Sequence, residues 1–428
     1  MSGSAPSLQE IASCVAGYDP KALPVAQAQD FIARLVPRVE TVERVALRSA
    51  LGRVLAADVV SSIDVPAHDN SAMDGYALRG AELEGGESVF TVAGAGFAGA
   101  RYAGEIGARE CVRIMTGAVM PAGLDTVVPQ EFVAVEGERV RVPAGVVRRG
   151  DNRRLAGEDL ARGEVALAAG RIVRPADLGL LASLGHAEAA VFRRLRVAFF
   201  STGNELRSVG ETLDAGAVYD SNRYTLWAML QRLGVELLDL GVVRDEPAAL
   251  ETAFRAAADA ADAVITSGGV SVGEADHTKA VMARLGDVLF WRIAMRPGRP
   301  MAIGRIERGE RSAVLFGLPG NPVAVMVTFY ALVRDALLRM SGATAAPLLV
   351  VRAASVAPIR KRAGRTEYQR GVVTQAADGR WQVRITGAQG SGILRSMSEA
   401  NGLVVLGHSQ GDVAAGDEVD VLPFDALV

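Results

Sequence analysis

The chain has 428 residues, more than one hydrophobic core usually serves, so about three domains are expected. Hydrophobic residues make up 50% of it, which excludes a disordered polymer, and 46 Lys and Arg against 49 Asp and Glu leave a net charge of −3, which provides no global field for nucleic acid or a membrane surface. Cys14 and Cys111 stand alone and His68, His186, His277 and His408 are scattered, so neither a disulfide framework nor a zinc site is expected.

Residues 1–21 read as a loose leader without the basic and apolar parts of a signal peptide, and a cytoplasmic protein is expected. Apolar residues recur at helical spacing over 24–36, and 41–55 carries a second helical pattern broken by Gly52. The stretch DVPAHDNSAMDGYALR (64–79) crowds turn-forming residues together and reads as a structured loop. From 87 to 142, short alternating runs separated by glycines (FTVAG, ECVRIM, TVVPQEFVAV, RVRV) predict a small β-domain, with TGAVMPAG (116–123) as a tight loop offering a hydroxyl and exposed backbone. After DNRRLAGED (151–159), a helix is expected over 175–184 with its proline in the first turn. The β-domain, 66–150, then interrupts a first domain made of 22–65 and 151–190.

Residues 195–341 alternate strand and helix, which predicts a mostly parallel sheet covered by helices, a doubly wound α/β domain over 191–345. Ligands of such sheets bind beyond the carboxyl ends of the strands, and every glycine-bearing loop here falls there. The most pointed is TSGGVSVGEADHTK (266–279): an apolar strand, then Ser267, Gly268, Gly269 and Ser271, then Asp276 and Thr278 opening a helix that Gly286 is expected to cap. Adjacent glycines aim backbone N–H groups at an anion, although the same sequence also serves as a ligand-free βα turn. Lys279, disfavoured by the dipole at that helix start, gains if it reaches an anion. Glu205, Asp245 and Asp276 at strand ends suit Mg²⁺ shared with a phosphate, with N-capping as the plainer role for Asp276. In FWRIAMRPGRP, Arg292 and Arg296 fall on one strand face by their even spacing and Arg299 follows, which offers guanidinium forks to an oxyanion. Pro319 and Gly320 close the last strand. Asn321 is the expected N-cap of a core helix whose apolar face is Met326, Phe329, Tyr330, Val333 and Leu337 and which Gly342 stops.

From 346 to 428 the short alternating strands of an all-β domain return. Its early part gathers Arg352, Arg360, Lys361, Arg362, Arg365 and Arg370 against Glu367, either a solvated face or the border of a pocket for an acidic ligand. Neither a Ser-His-acid triad nor the aromatic platform of a single-strand nucleic-acid binder is present; Tyr368 and Trp381 are too sparse.

The motifs DNSAMDGYA (69–77), RIMTGAVMPAG (113–123), GED (157–159), STGNEL (201–206), YDSNR (219–223), SGGVSVGEADHTK (267–279), RPGRP (296–300), GLPGNP (317–322) and QGSGILRSMSEANGL (389–403) together resemble the molybdopterin molybdenumtransferase (MoeA) family, to which the C-terminal domain of gephyrin is related. The resemblance implies a multidomain fold: a discontinuous linker and dimerisation domain, an inserted β-domain, a central molybdopterin-binding α/β domain and a C-terminal β-barrel-like domain. It implies a homodimer whose site is shared between subunits, with adenylylated molybdopterin and molybdate as substrates and Mg²⁺-dependent cleavage that releases AMP. Molybdopterin adenylyltransferase and apo-molybdoenzymes or their chaperones are the implied partners, with no nucleic acid and no membrane.

Carried over residue by residue, the family's acids fall on Asp69, Glu205, Asp245 and Asp276, its loop threonine on Thr116, its second-loop residues on Arg154 and Asp159, and its C-terminal serine on Ser391. Asp69 and Thr116 act from the partner subunit in this reading; Arg292, Arg296 and Ser391 take molybdate or pterin. Two departures stand out: Asn204 replaces the family's usual aspartate, and arginines replace lysines at 292, 296 and 299. A non-catalytic scaffold or carrier and a tungstate-specific insertase are the alternatives.

Overall fold

A computed structural model describes residues 7–15, 18–83, 85–270, 277–309, 311–345 and 347–427. The apolar runs of 195–341 form one six-stranded sheet. Its strands are β1 (Arg196–Thr202), β2 (Glu236–Val243), β3 (Ala263–Ser267), β4 (Gly286–Arg292), β5 (Pro300–Arg308) and β6 (Arg311–Leu318), in the order β2-β1-β3-β6-β5-β4. Strands β2, β1, β3 and β6 run parallel, while β5 is antiparallel between β6 and β4. Helices α1 (Ser221–Arg232), α2 (Pro247–Ala260), α3 (His277–Leu285) and α4 (Pro322–Thr328) complete the unit.

Successive side chains of a strand leave opposite faces, and here both faces are covered. Phe199 packs in one core with Leu226, Leu230 and Val327, and its neighbour Phe200 packs in another with Leu250 and Phe254. That is why the sequence reads as an unbroken apolar run. Helix α4 continues through a π-helical turn, Phe329–Val333, into Arg334–Met340 and stops at Gly342, whose φ is 88°. Phe329, Tyr330, Val333 and Leu337 are core as expected, and Met326 is half-buried.

Four local expectations need correction. Gly286 is not a helix cap but the first residue of β4, where a Cβ would overlap the Arg305 carbonyl oxygen of β5. The second helical pattern, 41–55, is a strand, Val42–Ala46, paired with Glu188–Phe192, followed by a 3₁₀ turn, Leu47–Ala50. Val42 and Val45 suit helical spacing, but a partner strand was available and β-branched residues fit it. The supposed loop 64–79 ends in a buried strand, Gly75–Leu78, which pairs on both sides within the small sheet. And FWRIAM is not one strand: β4 ends at Arg292, and Met295–Arg296 pairs with Thr366–Gln375 of the C-terminal unit, so Arg292 and Arg296 share no strand face.

The small sheet has six strands, and its two faces bury Tyr76, Phe90 and Val140 on one side and Ala77, Val112 and Val127 on the other. The C-terminal strands close into a barrel. Thr366–Gln375 pairs with Trp381–Ile385 and Gly402–Leu406, the latter with Glu418–Pro423, that strand with Val351–Ser355, and this one with Trp381–Ile385. No helix among the described residues is long and apolar enough to cross a membrane.

Burial pushes the Cys111 thiol up to about 12, with Glu110 adding to the effect, whereas Cys14 is exposed. Because the thiolate is the reactive form, an aromatic disulfide reagent should titrate one thiol in the native protein and two in denaturant. A second reactive thiol under native conditions would mean that the small sheet opens readily.

Candidate functional site

The carboxyl ends of β1, β2, β3 and β6 open into a cleft of about 1080 Å³. Gly268 and Gly269 follow β3 with left-handed φ values of 94° and 67°. At Gly268 a Cβ would overlap the Thr202 carbonyl oxygen at the end of β1, and at Gly269 it would lie 2.5 Å from Thr278 Oγ1. Gly320, after β6, comes so near that its Cβ would sit 3.7 Å from the Gly268 Cα. Buried Asn222 ties these loops together, its Nδ2 donating to Ser267 Oγ at 2.8 Å and to the Gly320 carbonyl at 2.7 Å. Its helix is fixed by Asp220, which accepts from the Arg223 N–H at 3.1 Å as N-cap.

One wall is acidic. Glu205 lies against the backbone of Gly203, where a Cβ would be 2.6 Å from its Oε2. Asp245, after β2, is held twice: Thr278 Oγ1 donates to its Oδ1 at 3.2 Å, and its own N–H donates to Asn204 Oδ1 at 3.2 Å. The opposite wall is basic, with Arg296 and Arg299 carried by the segment that bridges to the barrel. Behind them lies Arg370, 1% exposed and without a carboxylate partner among the described residues. Its guanidinium donates to Ser396 Oγ at 3.0 Å and to the carbonyls of Gly390 at 2.9 Å and Ala388 at 3.4 Å. Burial, and then the nearby charge of Arg296, pull its pKa down to about 10. An uncompensated pair of cations at a cleft wall favours an anionic occupant. The loop that Arg370 holds also carries Ser391, whose carbonyl accepts the Val323 N–H at the start of α4.

Several expected residues therefore converge. Glu205, Asp245, Ser267, Gly268, Gly269, Arg296, Arg299, Pro319, Gly320, Asn321 and Ser391 all line this cleft. Asn321 heads α4 but makes no side-chain cap bond. Ser271 and Asp276 fall outside the described residues. Arg292 does not line the cleft, because β4 ends with it before the chain turns to the barrel. Lys279 does not either; its ammonium lies 6.0 Å over the Phe290 ring, a cation–π contact that answers its unfavourable place on the helix.

Of the remaining residues, Asp69 lines a second cleft of about 920 Å³ on the small-sheet unit, and Thr116, Arg154 and Asp159 are not among its lining residues. Asp69 accepts from the Ala156 N–H at 2.8 Å and faces Arg153 at 3.7 Å. Thr116 is bonded to Asp74, Arg154 to Glu158 at 2.5 Å, and Asp159 is exposed. The basic run of the C-terminal unit is not one face. Arg352 pairs outward with Glu418 and Asp420, Arg360 and Arg362 are exposed, Lys361 is buried on the carbonyls of Gly407, His408 and Gln410, Arg365 pairs with Glu367, and Arg370 stands behind the cleft. Asn222, Asp220, Thr278 and Arg370 were missed as positioning groups. The D-S-N pattern before a helix signalled Asp220, but nothing in the spacing marked the other three.

A doubly wound sheet whose glycine-floored cleft holds both carboxylates and guanidiniums is an α/β ligand-binding architecture suited to an anionic ligand. Three family models match in order: the MoeA N-terminal region (domain I and II) over 23–185, a probable molybdopterin binding domain over 198–339, and the MoeA C-terminal region (domain IV) over 352–424. The molybdopterin molybdenumtransferase of Haemophilus influenzae is 41% identical over 409 residues, 95% of this chain and all of that one. That of Nostoc sp. is 34% identical, covering 93% of each chain. The crystal structure of the molybdopterin biosynthesis moeA protein from Pyrococcus horikoshii superposes with a TM-score of 0.81 at 28% identity, covering 94% of this chain and all of that one. The chain belongs to the molybdopterin molybdenumtransferase family.

The two glycine loops differ in what they tolerate. Gly268→Ala combines left-handed backbone with an overlap and should cost about 1–3 kcal/mol, read as a lower denaturant midpoint. Gly320→Ala meets only ordinary van der Waals distance and should stay within about 0.5 kcal/mol of the parent. Equal losses would show that the approach of Gly268 to Thr202 is not what demands glycine.

Proposed function

We propose that this chain is an enzyme of molybdenum cofactor biosynthesis that inserts molybdate into adenylylated molybdopterin, cleaving the adenylate and releasing AMP. The observation that carries the reading is the division of charge within one cleft: Glu205 and Asp245 on one wall, Arg296 and Arg299 on the other with Arg370 behind, and the glycine loops as floor. A scaffold needs no such opposition of charges.

Mg²⁺ fits the acidic wall, since it is commonly held by one or two carboxylates plus substrate phosphate, and Glu205 and Asp245 supply the two. When bound it neutralises charge on the phosphates. The protein's own groups do the positioning. Thr278 and the Asn204 amide hold Asp245 in one orientation. The floor around Gly269 admits phosphate oxygens close to the backbone, as glycine permits. Arg296 and Arg299 bind and orient a tetrahedral oxyanion opposite the carboxylates, and the side chain of Ser391 joins them from the barrel loop.

Asp69 and Thr116 join the reaction from a second copy of the chain in this proposal. Asp69 lines the second cleft, which among the described residues shares no lining residue with the first, and a second copy of the chain is what would bring the two together. Tyr219 on the lip of the first cleft, with Tyr224 and Trp227 on α1, leaves an exposed aromatic strip that suits such a partner. The substrate comes from a molybdopterin adenylyltransferase in the cytoplasm, and the product passes to apo-molybdoenzymes or their chaperones.

The test is AMP release from adenylylated molybdopterin with Mg²⁺, in the presence and absence of molybdate. Molybdate-dependent release with active cofactor formed is the expected result; tight binding without release would favour a carrier. Asp245→Ala should lower turnover by about 10²-fold or more with the fold retained, as expected when a group acting on the transition state is lost. A folded, fully active variant would remove Asp245 from the mechanism.

A further inference from the structure

The rim of the second cleft is built from three loops fastened to one another. Asn70–Ser71 pairs with Arg153–Arg154, the Met120 N–H donates to the Asp69 carbonyl, and Gly117 N–H and Ser71 N–H donate to the carbonyls of Ser71 and Ala118. Within this frame Thr116 makes two bonds to one carboxylate oxygen. Its N–H and its Oγ1–H both donate to Asp74 Oδ1, each at 2.7 Å.

The backbone bond from Thr116, then its hydroxyl bond, hold the Asp74 carboxyl below the usual carboxylate range, with Arg113 adding slightly. Asp74 is therefore ionised at neutral pH, and an ionised carboxylate only accepts hydrogen bonds. The hydroxyl proton of Thr116 is committed to Asp74. What this exposed side chain turns outward is lone pairs alone.

We infer that Thr116 is a hydrogen-bond acceptor toward substrate, so that the rim takes an N–H- or O–H-bearing part of adenylylated molybdopterin, not a phosphate or molybdate oxygen. The inference rests on the proposed role of Thr116 in a shared site and assigns the two surfaces different halves of the ligand. The cleft of the α/β unit supplies guanidiniums and amide N–H groups for the anionic half. The other surface supplies acceptors: Thr116 Oγ1 and the carboxylate of Asp74 bonded to it. An oxyanion set against those lone pairs is repelled, whereas a donor gains from the charge relayed through the hydroxyl. In the neighbouring cleft Arg149 and Arg153 face Asp125 and Asp69, and Arg101 lines it as well; Thr116 and Asp74 are not among its lining residues. Asp74 is a positioning residue here, acting through Thr116.

The experiment measures binding of two probes with Mg²⁺ withheld, so that nothing is cleaved: adenylylated molybdopterin, which carries pterin, ribose and adenine donors, and molybdate, which carries none. Thr116→Val should weaken the first about tenfold, the worth of one buried hydrogen bond, and leave the second within about twofold. Thr116→Ser should restore the parent affinity. Asp74→Asn keeps an acceptor oxygen for the Thr116 hydroxyl but not the charge and should fall between the parent and Asp74→Ala, which should lose affinity for the adenylylated ligand. Loss of molybdate affinity in Thr116→Val as large as the loss for the adenylylated ligand would overturn the inference, as would no change for either probe. AMP release by the unmodified protein, run alongside, separates the two claims. An active parent with an indifferent Thr116→Val refutes only the acceptor role, and an inactive parent refutes the function.

Discussion

Burial of β1 and β3 on both faces is the constraint from which the site follows. A strand covered on each side has no place for polar groups along its length, so they collect at its carboxyl end: Ser201 and Thr202 on β1, Thr266 and Ser267 on β3. The connecting loops return at that same edge. Gly268 must then pass over the Thr202 carbonyl at a distance no Cβ allows, and the floor of the cleft is bare backbone. Glycine is found there because the sheet leaves room for nothing else.

Charge is distributed around that floor by two different units. The acids belong to loops of the sheet itself, whereas the cations stand on the bridging segment and the barrel, which meet where Met295–Arg296 joins Thr366–Gln375. Arg370 makes the join electrostatically expensive. A guanidinium nearly sealed from water, held by neutral carbonyls and facing another cation, destabilises the empty fold. An anion in the cleft would offset part of that cost. The Arg370 bonds to Gly390 and Ala388 also fix the loop whose carbonyl caps α4, which couples the helix start, the barrel and the cleft wall.

Legibility in the sequence followed the range of the interactions. The doubly wound sheet, the small β-unit and the barrel were readable because strand periodicity and glycine punctuation are local signals. Glu205, Asp245, Gly268, Gly269 and Gly320 were readable because strand-end loops converge by topology alone. What failed depended on distant partners. Val42–Ala46 became a strand because Glu188–Phe192 lies beside it, about 145 positions on. Arg292 and Arg296 parted because the chain changes sheets between them. Asn222 and Arg370 act through bonds to loops far away in the chain, and no spacing rule marks such a residue.

The two departures from the family's usual residues make sense in the same terms. Asn204 accepts the Asp245 N–H through an amide oxygen. An aspartate could accept that bond equally well but would place a third negative charge beside Glu205 and Asp245, so asparagine keeps the positioning and lowers the repulsion between acids. Arginine at 296 and 299 keeps the charge of lysine and adds a planar fork that matches two oxygens at once. At Arg296 that fork lies near the buried Arg370 guanidinium.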